Sequence, residues 1–251
     1  MNRSIRAEGT SEAAWRPWLR LQPFVQQSLG SLMSGARRLV VVAPHPDDEV
    51  LGCGGLLAMQ AEQAAPTLVV GVTDGEKSHG DEAGFDQRAL AAQRAAERLE
   101  GARQLGLSGA TVVTLKLPDA ALAAHIDDLV ARLESMLQPT DLVVSTWRHD
   151  GHPDHDACGL AAARASKRVG CRHLEAPVWL WNWARPGDSF VPWHRMVALP
   201  LSARALAAKH HALQAHASQL VPRSAWVGPV LGLEIRACAA RPCEYFFQHE
   251  P

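Results

Sequence analysis

Short apolar runs punctuate the chain at Arg38 to Ala43, Thr67 to Thr73, Thr111 to Lys116 and Leu142 to Thr146. The first is rich in β-branched residues and lacks alternation, which predicts a strand covered on both faces, as in a parallel sheet flanked by helices. Between the runs, Glu49 to Gln63, Phe85 to Leu105 and Ala120 to Leu137 read as helices, the second closed by Gly106. A further helix is expected from His155 to Arg168. Pro177 to Trp183 alternates like a strand, His194 to Leu199 reads as another, and Ser202 to Leu220 as a helix with an N-cap serine. Ahead of the first strand, Trp15, Trp18, Leu21, Phe24 and Val25 recur at helical spacing. Residues 1–37 are therefore expected to be a helical extension, and 38–251 one domain. The fold class that follows is α/β: a Rossmann-like, mainly parallel sheet with helices on both faces.

The chemistry gathers where apolar runs stop. After Arg38 to Ala43 comes Pro44-His45-Pro46-Asp47-Asp48-Glu49, whose prolines forbid continuation of the ladder. His45 and Asp48 stand three apart on a turn into a helix, and a nitrogen with a carboxylate suits Zn²⁺. A catalytic zinc normally takes three protein ligands, and the best source of a third is Asp150-Gly151-His152-Pro153-Asp154-His155, which also follows a strand. Strand ends in one parallel sheet open on the same edge, so a metal site is expected at the carboxyl ends of the strands.

His45-Pro46-Asp47-Asp48-Glu49 paired with His152-Pro153-Asp154-His155 resembles the signature of the LmbE-like (PIG-L) family, zinc-dependent deacetylases of N-acetylated sugars and glycoconjugates. Thr73-Asp74-Gly75-Glu76, Arg94 with Glu97, Leu117-Pro118-Asp119, and Lys209 with Ala212, His216, Ser218 and Gln219 agree, so the resemblance spans roughly Arg38 to Phe247. It implies one Zn²⁺ per chain, with another divalent transition metal left open, held by His45, Asp48 and His155. Asp47 would then be the general base, and His152 would polarise the carbonyl or protonate the leaving amine. Asp154 would orient a histidine. By resemblance Arg94 holds substrate oxygen atoms. Asp119 meets a substrate hydroxyl by resemblance, or is an N-cap carboxylate. Asp150 stands where some relatives carry tyrosine, which leaves it to bind a substrate hydroxyl or to act behind the metal ligands. The implied reaction removes an acetyl or other acyl group from the amide nitrogen of an N-acetylated amino sugar or glycoconjugate. A zinc amidase for a non-sugar N-acyl compound is the alternative, as is a non-catalytic nucleotide- or metal-binding module.

Composition narrows the partners. With 47% hydrophobic and 20% charged residues the chain is an ordinary globular protein, and a net charge of −1 offers no basic field for nucleic acid. Five cysteines without C-x-x-C spacing fit a reducing compartment, and no stretch has the apolar length of a membrane span, so a cytoplasmic enzyme is expected. The partner is then a small N-acetyl sugar or glycoconjugate, with a homo-oligomer left open. Gly52, Gly54 and Gly55 evoke a phosphate-binding loop but lie well behind the strand end, where close helix packing is the better reading. His210, His211 and His216 do not share a face or a carboxylate, so a second metal site is not expected there. Trp147, Trp183 and Trp193 are candidates for stacking on a sugar, although large aromatics are more often core. Substrate rims are expected at Ser78 to Phe85 and Asn182 to Trp193.

Overall fold

The computed structural model describes Ile5 and residues 9–80, 86–107, 111–224 and 226–248. Eight strands form one sheet: β1 (Val25–Gln26), β2 (Arg38–Ala43), β3 (Thr67–Gly71), β4 (Thr111–Thr114), β5 (Asp141–Thr146), β6 (Arg172–Ala176), β7 (Met196–Pro200) and β8 (Cys243–Gln248). Their order is β1-β7-β8-β6-β5-β2-β3-β4. All pairs are parallel except those of β8, which runs antiparallel to both β6 and β7.

The lack of alternation in β2 has a direct cause. Leu39 and Val41 face a core shared with Leu56 and Leu57 of the helix Asp48–Glu62 and with Ala212 of the helix Ala203–Gln214. Val40 and Val42 face a second core with Leu129 and Leu133 of the helix Ile126–Met136 and Ala161 and Ala165 of the helix Pro153–Val169. Both faces are thus dry. In register, Leu39 sits beside Leu142 and Val41 beside Val144, so β2 and β5 end together and open a crevice at their carboxyl ends.

The structure departs from the sequence reading in four places. Pro177 to Trp183 is not a strand: β6 precedes it, and the segment ends in a short buried helix, Leu180–Trp183. Its alternation reflects packing of Trp181 and Trp183 with Trp15 and Phe247 in an aromatic core, and the N–H groups of Val178, Trp179 and Leu180 go to the Asp150 carboxylate. The segment before β2 is also more than a helical extension. Its helix Glu12–Leu21 buries Trp15 completely, with the indole N–H donating to the Trp181 carbonyl at 2.8 Å, and β1 joins the sheet beside β7. The expected helix from Ser202 to Leu220 breaks into Ala203–Gln214 and Ala217–Leu220, with His216 at the break. The segment after Asp119 begins with a 3₁₀ turn, Leu122–His125, before the helix proper. Among the described residues, no helix is long and apolar enough to cross a membrane.

Candidate active site

Two helix starts supply the reactive groups. His45 leaves β2, Asp47 is the N-cap of the helix Asp48–Glu62, and Asp48 lies in its first turn. His152 is the N-cap of the helix Pro153–Val169, its Nδ1 accepting from the Asp154 N–H at 3.2 Å, with Pro153 and His155 both in the first turn. Because β2 and β5 are neighbours in register, the two turns meet. Asp48 Oδ2 lies 3.1 Å from His45 Nδ1 and 3.2 Å from His155 Nε2, and it accepts the His45 backbone N–H at 3.0 Å. His45, His152 and His155 each bring a ring nitrogen within 4.8 Å of the others.

The donor set fits a divalent transition metal on physical grounds. His155 is fully buried, its Nδ1 lies 2.8 Å from the Asp150 carboxylate, and its Nε2 has no hydrogen-bond partner. A buried imidazole oriented at one nitrogen by a carboxylate, with the other facing a second carboxylate without a well-aligned hydrogen bond, is how proteins present histidine to zinc. His45 is braced the same way: its Nε2 lies 3.2 Å from both Asp119 Oδ1 and Asp154 Oδ2. Cys53 is buried, and burial with the nearby Glu244 carboxylate pushes its thiol well up, so it offers no thiolate. Both described groups able to hold a metal contain His45; His210 and His211 are on exposed helix surface and His216 is buried elsewhere.

Electrostatics separate the roles. Burial raises the Asp47 carboxyl most, Arg94 opposes and the neighbouring Asp48 adds, which brings its pKa to about 7. Its Oδ2 lies 3.2 Å from Arg94 Nη2, and its backbone adopts φ 129°, unusual for a residue with a Cβ. His152 is pushed down to about 3, by burial first and then by the charges of His155 and His45, so it is neutral near pH 7. Although burial disfavours a charged His155, Asp48 and Asp150 outweigh it and raise its pKa to about 9 in the metal-free protein. His45 also sits well above the ordinary histidine value: burial opposes, but Asp119, Asp154 and Asp48 together prevail.

Around these groups is a cavity of about 220 Å³ lined by His45, Asp47, Asp48, Arg94, Asp119 and His152. Arg94 is buried and donates to the Gly75 carbonyl at 2.8 Å and the Pro46 carbonyl at 2.7 Å, tying the Thr73-Asp74-Gly75-Glu76 loop to the metal turn. Gly75 has φ +67°, and a Cβ there would overlap the Arg94 guanidinium, which accounts for glycine at that position. Asp119 accepts the Lys77 N–H at 2.8 Å as well as facing His45, so it holds the rim loop rather than capping a helix. Asp150 does not meet the expectation of a substrate contact. Its carboxylate is fully buried and accepts from His155 Nδ1 and from the N–H groups of Val178, Trp179 and Leu180.

The cavity takes Ser78 from the expected rim, with Lys77 beside it, and also recruits Trp179, Gln219, Val230 and Leu231, four residues not singled out as site residues from sequence. Gln219 carried a signal in the His216-x-Ser218-Gln219 motif; the others became visible only once the chain was folded. Trp179 is the tryptophan at the cavity, whereas Trp147 and Trp183 are buried in the aromatic core and Trp193 packs edge-on against Trp18 at 4.6 Å. Of the expected rim at Ser78 to Phe85, residues 81–85 lie outside the described residues.

A family model, GlcNAc-PI de-N-acetylase (PIG-L), matches residues 40–166. The chain is 29% identical over 136 residues to the probable N-acetyl-alpha-D-glucosaminyl L-malate deacetylase 2 of Bacillus subtilis strain 168; the alignment covers 52% of this chain and 61% of that relative. It is 30% identical over 245 residues to the 1D-myo-inositol 2-acetamido-2-deoxy-alpha-D-glucopyranoside deacetylase of Salinispora arenicola, covering 76% of this chain and 78% of that one. Among solved structures, the conserved protein TT1542 from Thermus thermophilus superposes with a TM-score of 0.59 at 25% identity, over 85% of this chain and 94% of its own.

Proposed function

The chain belongs to the PIG-L family of GlcNAc-PI de-N-acetylases, and on that footing we propose that it is a zinc-dependent hydrolase that removes the acetyl group from the nitrogen of an N-acetylated amino sugar or glycoconjugate. The observation that carries the reading is that His45, Asp48 and the adjoining His155 converge on Asp48 Oδ2 beside a cavity that Asp47 and His152 also line. When bound, zinc would make water nucleophilic and polarise the amide carbonyl.

The remaining work falls to the chain's own groups. Asp47, whose carboxyl burial raises to about 7 in the metal-free protein, accepts a proton from the attacking water and can return it to the departing nitrogen. Arg94 keeps that carboxylate aimed and partly charged. His152 Nδ1 is occupied by the Asp154 N–H, which leaves Nε2–H to donate to the carbonyl oxygen as it gains negative charge. The amide C–N bond breaks as water's oxygen bonds to the acyl carbon, and the products are acetate and a primary amine. For the substrate, the cavity lining combines polar Lys77, Ser78, Arg94, Asp119 and Gln219 with apolar Leu51, Trp179, Val230 and Leu231, the mixture that the hydroxyls and ring carbons of a sugar call for. All five cysteines are free, which fits a reducing, cytoplasmic setting.

The test is amine release by the zinc-loaded protein from a panel of N-acetylglucosamine derivatives, beside N-acyl amino acids and peptides. Release from the sugars alone supports the reading. Release from the amino acids or peptides alone would overturn the sugar assignment and leave a zinc amidase.

A further inference from the structure

The glycine run Gly52, Gly54 and Gly55 and the distant Lys209 have no part in the chemistry above, yet they meet. Glu244 from β8 and Lys209 from the helix Ala203–Gln214 form a buried ion pair at 2.7 Å, with side chains 2% and 3% exposed. The pair is inserted against the middle of the helix Asp48–Glu62. Glu244 accepts the N–H groups of Gly55 at 2.7 Å and Leu56 at 2.8 Å, while Lys209 Nζ donates to the Leu51 carbonyl at 2.9 Å. In a helix, the Leu51 carbonyl and the Gly55 N–H are each other's ordinary partners. Here each has a side-chain partner too. Gly54 makes room for the pair: a Cβ there would meet the Lys209 stem at 2.9 Å.

This clamp grips the helix between one and two turns below Asp48, and Leu51, whose carbonyl it holds, lines the cavity. A buried ion pair contributes little net stability compared with apolar residues of similar volume, so stability alone is a weak reason for one here. Resting on the metal reading above, we propose that Lys209 and Glu244 are positioning residues that fix the first turn of this helix, and with it the Asp48 carboxylate, for metal binding.

The test measures zinc affinity by chelator competition, and the melting temperature of the zinc-stripped protein, for wild type, Glu244→Gln and the apolar double variant Lys209→Met/Glu244→Leu. Arg38→Met serves as control, because its pair with Asp141 (2.7 Å) lies at the opposite, amino end of β2. The double variant removes both charges together and should fold. It is expected to bind zinc about 10- to 100-fold more weakly, the range for residues that orient metal ligands. Glu244→Gln, which keeps an acceptor for the helix, should fall between it and wild type, and Arg38→Met should lower only the melting temperature. Wild-type zinc affinity in the folded double variant, or in Glu244→Gln should the double variant not fold, would overturn the proposal. Wild-type protein that takes up no zinc would instead bring down the metal reading and this inference with it.

Discussion

Replacing Asp150 by asparagine puts an amide where four buried donors converge. Oδ1 accepts from the Val178 and Leu180 N–H groups at 3.0 and 2.9 Å, and Oδ2 from Trp179 N–H and His155 Nδ1 at 2.8 Å each. With its NH₂ at the Oδ1 position the amide faces two backbone N–H groups; at the Oδ2 position it faces the Trp179 N–H, while His155 Nδ1 can accept from it once the imidazole proton moves to Nε2. The second orientation orphans one buried donor, at about 1–3 kcal/mol. For a domain of this size that is a fall of about 2–12 °C in melting temperature of the zinc-stripped protein. Loss of the anion behind His155 should also weaken zinc binding about 10- to 100-fold, because Nδ1–H is no longer held and the proton can move to the metal-facing nitrogen. Thermal melts with and without chelator, and zinc titration against a competing chelator, measure both effects. A substrate-binding Asp150 would instead raise KM and leave melting and zinc affinity unchanged; that result would refute the reasoning.

Three other outcomes follow from the same geometry. Asp47→Asn should keep its zinc but lose turnover by about 10²- to 10⁴-fold, the usual range for an acid-base group; metal analysis paired with amine release checks it, and near-normal rates in the metal-replete variant would reject the base assignment. His152→Ala should lower kcat about 10²- to 10³-fold at saturating substrate, as for loss of one oxyanion donor, whereas a pure KM effect would place the histidine on the ground-state substrate. Zinc affinity should rise with pH between 6 and 8, because His155 (about 9) and His45 are protonated in the metal-free protein and each must release a proton to bind; the slope is about tenfold per pH unit per proton, and a flat profile by chelator competition would contradict it.

The parts of the molecule legible in the sequence are those where one local pattern has one physical solution. β2 and β5 are buried on both faces, so their composition alone marks them, and two polar turns following two such strands must open on one edge. That is enough to bring His45, Asp48 and His155 together. β8 is harder to read because it carries the buried Glu244, whose partners are Lys209 and the helix amides, more than 30 residues away at the nearest. The alternation of Pro177 to Trp183 imitates a strand because tryptophans also alternate when they fill an aromatic core beside a turn. Asp150 depends on the same turn: nothing near it in sequence reveals that Val178 to Leu180 pass over its carboxylate. Trp179 reaches the cavity by that route as well, which is why sequence does not single it out from the other tryptophans.

Asp47 carries the remaining tension, since in the proposed mechanism it serves as base while its neighbour Asp48 serves the metal. Adjacent residues on a regular helix point about 100° apart, and the N-cap position gives a further turn of the chain. The backbone at φ 129° and ψ −28° lies outside the regions open to ordinary residues, a conformation that costs of order 1–3 kcal/mol unless the surroundings hold it. They do: Arg94 grips the Pro46 carbonyl and the Asp47 carboxylate, and the Asp47 N–H donates to Glu49 at 3.3 Å. Comparing Asp47→Gly with Asp47→Ala isolates the backbone term, because both variants remove the carboxylate and leave Arg94 equally unpaired. Glycine ordinarily loses about 0.4–1 kcal/mol to alanine through the greater freedom of its unfolded chain. Here the order should reverse, with the glycine variant the more stable by about 1 kcal/mol in denaturant unfolding of the zinc-stripped protein, because only alanine retains the strain of a Cβ at this φ. An alanine variant as stable as the glycine one, or more so, would show that the turn is not strained and that Asp47 is turned away from the metal by side-chain contacts alone.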